Sequence, residues 1–195
     1  MMVANTVIAY CIENNIVFLK LTKMILYIKV CLIMRRWGST VINRGIAGDN
    51  TFGVLARLND VILRKPRIIF IEIGINDISQ NIPSPIIIKN IIAIVQQLHS
   101  KSPATKIFIT SILPSNANAK IEYPAAYGKD DIIDQTNITL IKNAPEYKYT
   151  YIDLNSQVKD FKGELDIKYA DPDGLHLNAM GYEKWLNLIN TVLSK

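Results

Sequence analysis

A three-layer α/β/α sandwich around a central, mostly parallel sheet is the fold this sequence predicts, and three observations predict it. Short runs rich in β-branched residues, such as residues 67–73 (RIIFIEI) and 106–113 (KIFITSIL), are apolar along most of their length. Runs of this kind belong in a sheet covered on both faces. Between them lie longer segments with apolar residues at helical spacing. Turn-forming residues stand at the junctions, among them Pro66, Gly74, Pro114 and residues 170–174 (ADPDG). Strand and helix patterns that alternate along a chain give parallel strands sandwiched between helices.

The elements follow in order. Residues 16–19 (IVFL) read as a short buried strand and residues 40–43 as a second, weaker one. Asp49 and Asn50 are helix N-cap types. Val54, Leu55, Leu58, Val61 and Ile62 then share one helical face until Pro66 stops the helix. Residues 67–73 form the central strand, which ends at Gly74. Ser84 as N-cap and Pro85 at the first helical position open the next helix, with the stripe Ile88, Ile91, Ile92, Val95 and Leu98. Residues 106–113 are a strand stopped by Pro114, and a polar stretch follows from 115 to 129. Ile132, Ile133, Ile138, Leu140 and Ile141 predict a helix ending near Pro145. Residues 149–154 (YTYIDL) are another strand. The ADPDG turn leads to a final helix with the stripe Tyr182, Trp185, Leu186, Ile189, Val192 and Leu193.

The chain has 195 residues, enough for one domain with a real core. Its net charge of +5 is uneven. Lys20, Lys23, Lys29, Arg35 and Arg36 stand against Glu13 alone in residues 1–37, so the remainder is near neutral. That distribution carries no basic stripe of the kind nucleic acid needs. Cys11 and Cys31 both lie in the first segment, and His99 and His176 are the only histidines. Neither a disulfide framework nor a Cys- or His-rich metal site is expected. Residues 24–34 (MILYIKVCLIM) are apolar but short, and Lys29 interrupts them. A spanning helix needs about 20 apolar residues. A secretory leader would put its charges before the apolar run, whereas Arg35 and Arg36 come after it. Neither a spanning segment nor a leader is therefore expected.

In a sheet of this kind ligands bind beyond the carboxyl ends of the strands. Three loops fall there: Gly45-Ile46-Ala47-Gly48-Asp49, Gly74-Ile75-Asn76-Asp77 and Asp173-Gly174-Leu175-His176. Asp173 is placed to accept from one imidazole nitrogen of His176 and leave the other as a base. Asn76 can aim its amide at a developing oxyanion, and Gly48 can offer a backbone N–H. Each pattern alone has a plainer reading. Asp173 then caps a turn, Asn76 or Asp77 caps local backbone, and Gly48 serves a tight turn. Phosphate binding at residues 45–48 lacks the glycine-rich and Lys-Ser/Thr signatures of nucleotide loops.

Taken together the three loops resemble a known family. Residues 41–58 (VINRGIAGDNTFGVLARL), 71–77 (IEIGIND) and 173–185 (DGLHLNAMGYEKW) are similar to the second, third and fifth conserved blocks of the GDSL, or SGNH, esterases. Order and spacing agree from about residue 41 to the C-terminus. The resemblance implies a flavodoxin-like fold, no cofactor and a small acyl ester as substrate. It implies His176 as general base and acid, Asp173 as its orienting partner, and Gly48 and Asn76 as oxyanion-hole donors. With these roles, Asp173 is expected to hydrogen-bond His176 beside a cleft bordered by Gly48 and Asn76.

The first block departs from the pattern. A Gly-Asp-Ser or Gly-Asn-Ser should follow the first strand, but residues 16–19 run into Lys20-Leu21-Thr22-Lys23. By register Thr22 takes the nucleophile position, without the flanking glycine and aspartate. Ser39 is the other nearby hydroxyl, at the wrong end of a strand. Residues 20–37 are basic and apolar with no acid, unlike the rest. The expectation is an esterase scaffold, impaired in this chain, or a non-catalytic binding protein on the same scaffold.

Overall fold

A computed structural model describes residues 7–11 and 41–194 of the chain. Five strands form one sheet in the order β2-β1-β3-β4-β5. They are β1 (Val7–Cys11), β2 (Val41–Asn43), β3 (Ile68–Glu72), β4 (Lys106–Thr110) and β5 (Thr150–Ile152). β3, β4 and β5 pair in parallel, Ile69 beside Ile107 and Ile109 beside Tyr151. β1 runs antiparallel to both its neighbours, with Val7 opposite Glu72 and Cys11 opposite Val41. Four strands therefore point one way and β1 points the other. The strand expected at 16–19 lies outside the described residues, as do Thr22, Ser39 and the whole atypical segment 20–37.

The helices are α1 (Thr51–Leu63), α2 (Ile75–Ser79), α3 (Ser84–Lys101), α4 (Ala119–Glu122), α5 (Asp130–Tyr147), α6 (Asn155–Val158) and α7 (Ala179–Leu193). α1 packs on α3 and α3 on α5, while α7 packs with α6. Strand alternation decides which residues meet which layer. Phe70 and Phe108 stack at 4.8 Å, and Trp185 of α7 donates Nε1–H to Thr110 at 3.2 Å. Those residues face α7, and alternation leaves Ile69, Ile71, Ile107 and Ile109 for the α1–α3–α5 layer. All five residues of β3 are buried, as a strand covered on both faces requires.

Most helix limits follow from local chemistry. Asn50 caps α1 by accepting from Phe52 and Gly53 N–H, and Asn178 caps α7 through Met180 and Gly181 N–H. α3 begins at Ser84 itself, one residue earlier than an N-cap reading of that serine, with Pro85 in its first turn. α5 differs more. It runs through Pro145 to Tyr147, where the missing N–H falls in the last turn, and Lys148 ends it in a left-handed conformation. Its buried face is Ile133, Thr136, Asn137 and Leu140, while Ile132, Ile138 and Ile141 stay exposed. The reason is polar. Asn137 accepts from Ile112 N–H at 2.9 Å and donates to Ile112 C=O at 2.8 Å, and Thr136 meets Ser84 at 2.8 Å. A hydrophobicity count cannot see a face fixed by hydrogen bonds.

Candidate active site

The histidine loop is built from its main chain outward. Gly174 takes φ 72°, and a Cβ there would lie 2.4 Å from Asn116 Oδ1 and 2.6 Å from Ala119 N, so glycine is required. The turn directs the N–H groups of Leu175 and His176 at Asp173 Oδ1, both at 2.9 Å. Asp173 Oδ2 then lies 2.6 Å from His176 Nδ1. An imidazole held this way keeps its proton on Nδ1 and presents Nε2 as its basic nitrogen. The ring of Tyr123 meets that of His176 edge-on, with centroids 5.5 Å apart.

Burial alone would raise the Asp173 carboxyl, but the His176 and Leu175 N–H groups and the imidazole outweigh it and hold it below its ordinary 3.8. A depressed folded value adds stability above the unfolded value, and that stability is lost as pH falls through the folded one. Acid unfolding of the native chain should therefore steepen below about pH 4. Asp173→Asn should flatten that arm in a pH series of urea melts.

The second and third loops are joined by Asn76 and Asp77. Gly74, at φ 129°, turns the chain out of β3 into α2. Asn76 is buried, and its Nδ2 donates to Asp49 C=O at 2.6 Å, next to Gly48. That contact uses one hydrogen of the amide and fixes its plane. Gly48 sits at φ 76° in the turn closed by Asp49 N–H on Ile46 C=O, where only glycine is unstrained. Asp49 is clamped in turn by Arg57, whose Nε and Nη2 reach Oδ2 at 2.9 and 2.5 Å.

Asp77 is fully buried and accepts from Thr51 N–H and, at 2.6 Å, from Thr51 Oγ1. Asn90 donates to the same hydroxyl at 2.8 Å. Burial pushes the Asp77 carboxyl up, against the lowering effect of the Thr51 hydrogen bonds. Sequence reading treats Asp77 as a local cap. In fact it caps a different helix, α1, and ties α2 and α3 to it. The one cue was a second acceptor beside Asn76. Asp77→Ala leaves the Thr51 donors buried without their acceptor and is expected to cost about 1–3 kcal/mol in urea unfolding. Asp77→Asn, which keeps an acceptor, should cost less.

The loops converge at one end of the sheet. Ile75, beside Asn76, packs on a small cluster of Ala119, Ala126 and Leu175, and Leu175 adjoins His176. Gly48, Asn76, Asp173 and His176 thus all follow the carboxyl ends of strands or lie against loops that do. Among the described residues no group of three His, Cys, Asp or Glu is placed to hold a metal ion.

The GDSL-like lipase/acylhydrolase family model matches residues 31–184, most of the chain and all three loops. The chain belongs to this family. Solved structures similar to this GDSL-like chain include a Bacteroides fragilis protein assigned as an acylhydrolase, at 26% identity and TM-score 0.71, covering 79% of this chain and 74% of that one. A GDSL-like lipase from Bacteroides thetaiotaomicron aligns at 23% identity and TM-score 0.72, covering 82% and 77%. A lipase/acylhydrolase from Enterococcus faecalis aligns at 24% and 0.69, covering 86% and 83%. The last two share the fold at an identity that says nothing finer. Compared by sequence with curated proteins, the GDSL-like chain finds no significant match. Family membership makes it one of the hydrolases of ester substrates. Among its described residues no helix is long and apolar enough to cross a membrane.

Proposed function

We propose that this chain carries the acyl-transfer site of a small-ester hydrolase, such as an acetylesterase or a lysophospholipase-like acylhydrolase, with the attacking group impaired. The observation that carries the reading is the Asp173–His176 pair, whose 2.6 Å contact is fixed by two main-chain N–H groups on the carboxylate. In this reading His176 Nε2 takes the proton of the attacking hydroxyl or water and returns it to the leaving alcohol. Asp173 holds the ring and stabilises the imidazolium. Asn76 Nδ2 and the Gly48 N–H donate to the oxyanion.

Impairment is read from Lys20-Leu21-Thr22, where the family pattern asks for Gly-Asp-Ser. The same departure favours a second reading, a non-catalytic binder of acyl esters on this scaffold. A fluorophosphonate probe tests the pair. No covalent labelling, with turnover of an activated ester that is lost in His176→Ala, fits the impaired hydrolase. Absence of both labelling and turnover fits the binder. Labelling of the unaltered chain shows a working nucleophile and overturns impairment.

A further inference from the structure

An imidazole with one hydrogen-bonded nitrogen is not yet fixed. The last torsion of a histidine side chain has two broad wells about half a turn apart. That half-turn exchanges the places of Nδ1 and Cδ2, breaks the 2.6 Å contact with Asp173 and turns Nε2 away from its working direction. The Asp173 carboxylate opposes the turn, but its side chain is 19% exposed, so water competes for it. A ring packed against the imidazole opposes the turn differently, because the swinging ring needs space that its neighbour already fills.

Tyr123 supplies such a ring. It meets His176 edge-on, with centroids 5.5 Å apart and the planes at 79°. Tyr123 is itself held. Its N–H donates to Ala119 C=O at 2.8 Å, and its C=O accepts from Ala126 N–H at 2.9 Å. The residue packs on Ala119, Ala126 and Leu175, the last of them the chain neighbour of His176. Asn116 N–H donates to Gly174 C=O at 2.9 Å, which joins the start of the Tyr123 segment to the turn that carries the histidine. Burial first, then the charges of Asp173 and Glu122, raise the Tyr123 phenol above its ordinary 10.0. The ring beside the pair is therefore uncharged at neutral pH.

We propose that Tyr123 is a positioning residue for His176: its ring keeps the imidazole in the Asp173-bound orientation and keeps water off the Nδ1 hydrogen bond. Resting on the acyl-transfer reading of Asp173 and His176, this role adds a residue from outside the three loops. It belongs to the flat ring and not to the hydroxyl, so phenylalanine fulfils it.

Nitrogen-15 NMR of the imidazoles in the full chain tests this without turnover. His99 and His176 are the only histidines, and the His176 signals are those lost in His176→Ala. In the parent, His176 should show the Nδ1–H tautomer with a slowly exchanging Nδ1 proton. Tyr123→Ala should speed exchange of that proton with water by about tenfold or more, through local opening, and should mix the tautomers. Tyr123→Leu fills the space without a flat ring and should speed exchange by about threefold or more, which keeps the test open if the alanine variant does not fold. Tyr123→Phe should stay within about twofold of the parent. Tyr127→Ala removes another ring packed on the same cluster and should also stay within about twofold. Far-ultraviolet circular dichroism confirms that each variant is folded. Parent-like exchange in Tyr123→Ala and Tyr123→Leu overturns the proposal and leaves the Asp173–His176 pair standing. So does equal acceleration in Tyr127→Ala or in Tyr123→Phe. An Nε2–H tautomer in the parent overturns the pair itself, and this proposal with it.

Discussion

Hydrolysis of p-nitrophenyl acetate by the unaltered chain should run about a million-fold below that of a complete serine triad, while keeping a residual ~10³–10⁴-fold acceleration over water. The two figures come from different parts of the site. In the proposed reading Asn76 and Gly48 still stabilise charge, and the Asp173–His176 pair still draws a proton from water. The sequence lacks the Gly-Asp-Ser block that would hold a hydroxyl against the imidazole. Thr22 stands in register for it, but without the glycine and aspartate, and with a methyl group that crowds attack. The residual rate should fall in His176→Ala and, by less, in Asp173→Asn. Rapid turnover that disappears in Thr22→Ala would make Thr22 the nucleophile. Rapid turnover that survives Thr22→Ala and dies in His176→Ala would place the nucleophile elsewhere, with Ser39 next to be replaced. Either outcome ends the impaired reading.

Trp185→Ala should be the most damaging single change to stability, at about 3–5 kcal/mol. Trp185 is 1% exposed and heads the largest fully buried side chains. It fills the space between α7 and the sheet, so truncation leaves a cavity that rigid strands cannot close. It also strips Thr110 Oγ1 of its buried donor. Urea unfolding followed by circular dichroism gives the value. Phe161→Ala, at the 94%-exposed tip of its loop, is the comparison. It should change stability by less than about 0.5 kcal/mol. Equal effects from the two would mean that α7 does not close the core as described.

The parts of the fold legible in sequence are those where burial alone decides. β3 and β4 announce themselves because both faces are covered, and α1 and α7 because one apolar stripe meets one layer. α5 misleads because its inner face is chosen by Thr136 and Asn137, whose hydrogen-bond partners lie on other segments. β1 is not singled out in sequence, since a five-residue run such as VIAYC carries no direction and its antiparallel pairing depends on neighbours far along the chain. At the site, Asp173 and His176 are readable because they interact within one turn. Asp77 is not, because the helix it caps starts 26 residues earlier.

Gly174 has a consequence for anyone who would alter substrate preference. Its C=O accepts from Asn116 N–H at 2.9 Å, and its missing Cβ leaves room for Asn116 and Ala119. The segment bearing α4 and Tyr123 is thereby latched to the turn that carries His176. Libraries that randomise the loop around Ile121 will shift the imidazole unless Asn116 and Ala119 are held fixed. The evolvable part of this surface begins at Lys120 and stops short of the latch.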